Sequence, residues 1–337
     1  MSRRLAAASM LVLLALAVVP AALADGPMPN TFQGGGGVAA PDAPYRWVAV
    51  GTTANTALEQ IRKSDGTVLR SYPLLGSWGV PATTYSQGGE GLSTDGRTLV
   101  LGDTMSSYPR TESQFLVFDT KHFRPLREFT PKGDFAYDAL SPDGSKLYLI
   151  QHTDANMTNR YVVRAYDIGA GRLLPGRIAD RTQKGWVMQG YPMARATSAA
   201  GRWVYTLYQN PGGYPFVHAL DTVRGVAHCI GLPWHGNQNG FYNMRLSLGD
   251  RDRSLAVHWL SGRPWLRVDT KTWAVAPDRR AGLPWLGIGS GGAAVLLAGA
   301  ALLLARRRRR AASLEQGLAD LLRTDSGTRG TRRVPAA

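Results

Sequence analysis

Between Phe135 and Ile150, in FAYDALSPDGSKLYLI, apolar positions alternate with small or polar ones on both sides of Ser-Pro-Asp-Gly. Alternation with period two is the signature of a β-strand, and the central tetrapeptide supplies a turn: Pro142 fixes φ, Asp143 can cap the local backbone, and Gly144 accepts a positive φ. The segment therefore predicts a β-hairpin. Related hairpins recur as EGLSTDGRTLVL at 90–101, RATSAAGRWVYTL at 195–207 and RLSLGDRDRSLAV at 245–257, with a fainter copy, GGVAAPDAPYRWVAV, at 36–50. A second apolar run with an Asp-Thr-like turn follows each hairpin, at Asp119, Asp167, Asp221 and Asp269, and near Lys63 in the first unit. The aspartates are spaced by 48, 54 and 48 residues. Two hairpins per unit and a period near fifty predict an all-β fold, a β-propeller of about five four-stranded blades. The blades are expected at 32–75, 86–131, 133–180, 189–230 and 240–276, each running from an innermost strand a to an outermost strand d. Because FQGGGGVAA at 32–40 echoes SQGGEGLST at 86–94, the first blade is expected to keep its own strand a.

Some of these units resemble a known family. GYPMARATSAAGRWVYTLYQN at 190–210, LSPDGSKLYL and VVRAYDIGAGRLL are similar to the YVTN-type bacterial β-propeller repeats. The resemblance covers most of 32–276 at the level of the repeat, without an intact YVTN tetrad. It implies the fold and no particular activity.

The ends of the chain have a different character. Ser2-Arg3-Arg4, an apolar run from Leu5 to Val19 and Ala22-Leu23-Ala24 are the parts of a secretory signal peptide over 1–24. Residues 25–31 read as a linker before the propeller, and 277–284 as a second one after it. Residues 285–305 form an uncharged, strongly apolar run that as a helix would be about 31 Å long, the thickness of a bilayer's hydrocarbon core. Arg306, Arg307, Arg308, Arg309 and Arg310 follow at once and are expected to stay cytoplasmic, which places the propeller outside the cell. In the basic tail, 306–337, Leu314, Leu318, Leu321 and Leu322 predict a short amphipathic helix over 314–323. The net charge of +15 falls to +7 for the exported part once the +2 of the leader and the +6 of the tail are set aside. The densest positive charge is thus explained by topology and anionic lipid, and nucleic acid is not an expected partner. The expected partners are the bilayer, through 285–305, and an envelope ligand or protein.

The candidate chemistry lies in two places. Glu90, Asp138 and Arg195 occupy equivalent positions three residues before the turn residue of their hairpins, hence on innermost strands beside the axial channel. They read either as solvated channel-lining charge or as a site for a polar molecule or ion. Trp78, Trp186 and Trp234 each follow a strand d and read either as plugs between blades or as an aromatic ligand platform; His152 and His235 lie close to the same connections. Those connections and the b-to-c loops share one face, and they are longer and less regular than the tight turns of the other. No metal-ligand spacing, nucleophile elbow or nucleotide-binding glycine loop is present, so neither metal nor cofactor is implied. Cys229, the only cysteine, excludes an intramolecular disulfide and reads as a buried thiol. These features point to a membrane-tethered extracytoplasmic propeller that binds a ligand or protein. The alternatives are a lactonase-like hydrolase with its site at the axis, and a structural adaptor acting through its membrane helix and tail.

Overall fold

The computed structural model describes residues 30–84, 88–104, 109–155, 159–180, 182, 187–234 and 237–278. Contacts divide the chain into two units, 1–277 and 278–337, and of the second only Asp278 is described. The expected signal peptide, apolar 285–305 stretch, arginine cluster and amphipathic tail helix, together with Trp186 and His235, lie outside the described residues. No helix among the described residues is long and apolar enough to cross a membrane.

The first unit is all-β. β1 (Asn30–Phe32) precedes blade 1, which is β2 (Tyr45–Gly51), β3 (Asn55–Arg62) and β4 (Val68–Leu75). Blade 2 contains β5 (Trp78–Ala82), β6 (Thr98–Asp103), β7 (Phe115–Asp119) and β8 (Arg124–Phe129). Blade 3 contains β9 (Phe135–Leu140), β10 (Lys146–His152), β11 (Arg160–Asp167), β12 (Arg172–Leu173) and β13 (Met188–Gln189). Blade 4 is β14 (Tyr191–Thr197), β15 (Trp203–Gln209), β16 (Phe216–Asp221) and β17 (Val226–Gly231). Blade 5 is β18 (Met244–Gly249), β19 (Ser254–Trp259), β20 (Pro264–Asp269) and β21 (Val275–Pro277). Apart from β1, which pairs with β5, and β13, which pairs with β11, neighbouring strands pair antiparallel in chain order within each sheet, the meander of a propeller blade.

Burial gives each sheet its inner and outer edges. In blade 2, β6 and β7 are buried along almost their whole length and β8 is exposed. A strand covered on both faces has no polar side to show, which is why inner segments such as TLVLGD and FAYDAL contain continuous apolar runs. Four buried clusters fill the wedges between successive blades: Trp47, Leu58 and Phe118 between blades 1 and 2, Val117 and Tyr166 between 2 and 3, Tyr148 and Tyr208 between 3 and 4, and Leu207 and Val257 between 4 and 5. Polar bonds add to this packing. The Tyr148 hydroxyl donates to the Thr222 carbonyl across 2.7 Å, and the Ala199 N–H donates to Asp252 Oδ2 across 2.8 Å. Among the described residues, no buried cluster joins blade 5 to blade 1.

Three local features differ from the repeat pattern. Strand a of blade 1 is reduced to a bridge between Val38 and Trp47, supported by the Gly34 N–H donating to Ala49 O. The glycine run, with positive φ at Gly34, Gly35 and Gly37, bends this segment out of regular pairing. The stretch read as a linker supplies β1, which pairs with β5 through Asn30↔Ala82 and Phe32↔Val80 and makes blade 2 five-stranded. The blade's own first strand, β5, starts at Trp78, earlier than the expected residue 86, and Trp78 and Val80 are anchored in the core against blade 1. In blade 3 the outermost strand is broken into Arg172–Leu173, a single bridge at Ile178 and Met188–Gln189, all paired with β11.

Candidate functional site

Arg195 sits in the middle of β14, opposite Thr206 of β15, and is 3% exposed. Its Nη2 donates to Asp138 Oδ1 at 2.6 Å and its Nη1 to Glu90 Oε2 at 2.9 Å, while Nη1 also reaches the Asp138 carbonyl oxygen. The guanidinium therefore links the inner edges of blades 2, 3 and 4. Asp138 is aimed there by a bulge: β9 and β10 pair Ala139 with Tyr148 and Tyr137 with Leu149, leaving Asp138 without a partner in the ladder. Glu90 follows β5, where its N–H donates to the Pro81 carbonyl, and the Thr83 hydroxyl donates to its Oε2.

Two carboxylates share one guanidinium, so the cluster carries excess negative charge when all three groups are ionised. Burial pushes the Glu90 carboxyl above the usual range against the pull of Arg195 and Thr83, and the nearby Asp138 charge pushes the same way. Burial alone would lower the pKa of Arg195, but Glu90 and Asp138 outweigh it and hold the guanidinium above its ordinary value. Tyr137 is raised by burial and then by the charge of Glu90. Among the described residues, Asp138 Oδ2 and Arg195 Nε are buried without a hydrogen-bond partner.

A cavity of about 240 Å³ opens above this cluster, on the face of the tight turns. Its walls include Pro41, Thr94, Tyr137 and Ser198, and it reaches Glu90 and Arg195. The Glu90 side chain is 19% exposed against 4% for Arg195, so the glutamate is the acidic group that a solute in the cavity meets. The hairpin turns that form the rim are held by their own side chains. Ser141 Oγ donates to Asp143 Oδ1 at 2.6 Å and accepts the Lys146 N–H, and Ser93 does the same with Asp95 and Thr98.

The other residues singled out from the sequence lie elsewhere. Trp78 is 2% exposed in the core between blades 1 and 2, and its indole N–H donates to the Leu75 carbonyl at 2.6 Å. Trp234 is half-buried, packed edge-on against Phe241 and Trp265. Trp78 thus sits in a packing position, while Trp234 keeps part of its surface open. His152 ends β10, with Nδ1 3.3 Å from Asp134 Oδ1, and Arg110 Nε approaches the same oxygen at 3.3 Å. Cys229 Sγ lies 3.6 Å from His218 Nδ1; burial pushes the thiol up to about 12 and the imidazole down to about 4, leaving both groups neutral near pH 7. Among the described residues, no three or more His, Cys, Asp or Glu side chains are gathered as a metal site would need.

Sequence reasoning missed Thr83, Tyr137 and a polar row across one face of blade 4, in which Arg195, Thr206, His218 and Cys229 are successive cross-strand partners. Tyr137 could have been found from its place beside Asp138. The row could have been found by aligning polar residues at equal distances from each turn.

No protein-family model matches the chain, and no curated protein matches it. The likeness to YVTN-type repeats thus stays a likeness of motifs. Several solved structures are similar in fold. Hydrazine synthase of Kuenenia stuttgartiensis matches at 15% identity and a TM-score of 0.42, over 68% of this chain and 62% of that one. TolB from Acinetobacter baumannii matches at 16% and 0.39, over 74% and 56%. The β-propeller domain of Myceliophteria thermophila Cps50 (Swd1) matches at 10% and 0.42, over 74% and 72%. The chain thus spans less than two thirds of the hydrazine synthase and TolB chains.

Proposed function

We propose that this chain is a membrane-tethered propeller of the bacterial cell envelope, with its blades outside the cell and its basic tail in the cytoplasm, that binds a positively charged group in the axial cavity. The group belongs to a small molecule or to a partner protein. The observation that carries this reading is the cluster under the cavity: two acidic side chains against one guanidinium, with the more exposed acid, Glu90, facing the solute. The charge of Arg195 is already offset by two carboxylates, so it gives little attraction to an anion. A cation beside Glu90 favours the ionised form and displaces the proton that burial tends to keep there. Binding should therefore tighten as pH rises through the elevated Glu90 value. The leader and the apolar stretch support the envelope location as features of the sequence.

The test is a thermal-shift and calorimetric comparison of the full chain with putrescine, choline, glucose and citrate. The amines are expected to bind and to raise the melting temperature, and Glu90→Gln is expected to remove that gain without changing the fold. Binding of citrate or glucose in preference to the amines, or a Glu90→Gln variant that binds them equally well, overturns the reading.

The hydrolase reading draws on the same residue, because a carboxyl with a raised pKa suits proton donation. Turnover of a lactone by the wild type that is lost in Glu90→Gln would favour it over simple binding.

A further inference from the structure

The last blade presents exposed apolar side chains at the end where the chain leaves the propeller. β21 pairs with β20 through Leu266↔Pro277, so Pro277 lies next to the start of β20 and to the connection that joins β19 to β20. This is the face of the longer connections, opposite the tight turns that rim the axial cavity. On it, Leu260 is 61% exposed and Tyr242 57% exposed. The Leu260 N–H donates to the carbonyl of Asn243, the residue after Tyr242, at 2.6 Å. The Arg263 guanidinium lies 5.0 Å from the Trp259 ring centre, and Trp259, Leu260 and Arg263 border one shallow open groove with Asn243 and Ser261.

Leucine, tyrosine, tryptophan and arginine on one face of the blade have the composition of a membrane-interface anchor. The aromatic rings suit the headgroup level, the leucine the top of the acyl chains, and the arginine the phosphates. Chain length adds a separate constraint. Seven residue steps separate Asp278 from Trp285, where the apolar stretch begins, and fully extended they span at most about 25 Å. With 285–305 read as a membrane span, that reach sets an upper limit on how far the end of β21 stands from the bilayer.

We infer that Tyr242, Trp259, Leu260 and Arg263 seat blade 5 on the surface of a lipid bilayer, turning the tight-turn face and its axial cavity away from the membrane. The inference rests on reading 285–305 as a membrane span.

The test uses the full chain, in a Cys229→Ala background, reconstituted into vesicles of phosphatidylcholine and phosphatidylglycerol. Single cysteines are introduced as Leu260→Cys, as Lys121→Cys on the exposed turn of blade 2, and as Leu297→Cys in the apolar stretch. Each carries a nitroxide, and its collisions with oxygen and with a water-soluble nickel chelate are compared. The label at 260 is expected to show an oxygen-to-chelate ratio severalfold above that at 121, and Tyr242→Cys repeats the measurement should Leu260→Cys not fold. A label at 260 as open to the chelate as that at 121, with 297 lipid-exposed, overturns the seating and leaves the tether standing. A label at 297 open to the chelate overturns the tether and the seating with it. A label at 260 shielded from both reagents means that protein covers the patch, which also overturns the inference.

Discussion

Arg195→Met tests whether the axial cluster is an obligatory ion triad. The substitution keeps much of the side-chain volume but deletes the contacts to Glu90 Oε2 at 2.9 Å, to Asp138 Oδ1 at 2.6 Å and to the Asp138 carbonyl. It leaves Asp138, 2% exposed, and Glu90 without a counter-charge. Removing one partner from a buried ionic group costs about 3–5 kcal/mol, because the remaining charge is stranded away from water. In a fold of this size, each kcal/mol lowers the melting temperature by about 2–4 °C, so a fall of about 6–20 °C is expected at pH 7 by circular dichroism. The pH dependence has a definite sign. A carboxyl whose folded pKa lies above its unfolded value stabilises the fold most when protonated, and that contribution fades as pH rises from the ordinary glutamate value through the folded one. Without Arg195 the Glu90 carboxyl should be displaced further upward, so the penalty should shrink between pH 7 and pH 5. The triple variant Glu90→Gln, Asp138→Asn, Arg195→Met removes all formal charge and should recover most of the loss. A single variant that melts with the wild type, or a triple variant no better than the single one, would refute the argument.

Two further outcomes follow from the backbone and the turns. Gly37 has φ +62°, and a Cβ there would stand 2.1 Å from the Trp47 carbonyl, whereas Gly34, with φ +70°, has open space around it. Gly34→Ala should thus cost only the left-handed backbone term of about 1–2 kcal/mol, and Gly37→Ala distinctly more, read as the difference in urea midpoint. Burial pushes the Asp221 carboxyl upward, but Arg202 and the N–H groups of Arg224 and Val223 outweigh it and hold the group below the usual aspartate range. Its stabilisation is present above the unfolded value and is lost as pH falls through the folded one. Asp221→Asn should therefore cost about 2 kcal/mol at pH 7 and much less at pH 2, measured by urea titration at both.

The hairpins were legible because their turns are written in local chemistry. Serine, aspartate and glycine at fixed offsets hold the a-to-b turns, and the c-to-d turns close on Asp119, Asp221 and Asp269, whose side chains accept backbone N–H groups two and three residues on. The same register exposed the axial triad, since residues three positions before equivalent turns must lie at equal heights on the inner strands. Pairings without a periodic signal were not legible. Asn30–Phe32 is too short to show alternation, and its partner lies in another blade. The bulge that turns Asp138 toward Arg195 is a product of the ladder and leaves no mark in composition. The placement of Trp78 was open from the sequence because a tryptophan between strands serves equally as a plug or a platform; its burial depends on neighbours from another blade.

The pairing of β1 with β5 bears on how the molecule is assembled. Residues made early find their edge only after the chain has been extended by a further fifty or so positions, from Asn30 to Ala82. Blade 1 lies wholly within that interval, so it is enclosed by a clasp that shuts when the next blade begins. A ribosome-bound fragment stopping at Leu75 would carry every strand of the first blade and still lack the partner that locks it. The smallest stable folding unit at this end of the protein should therefore be two blades.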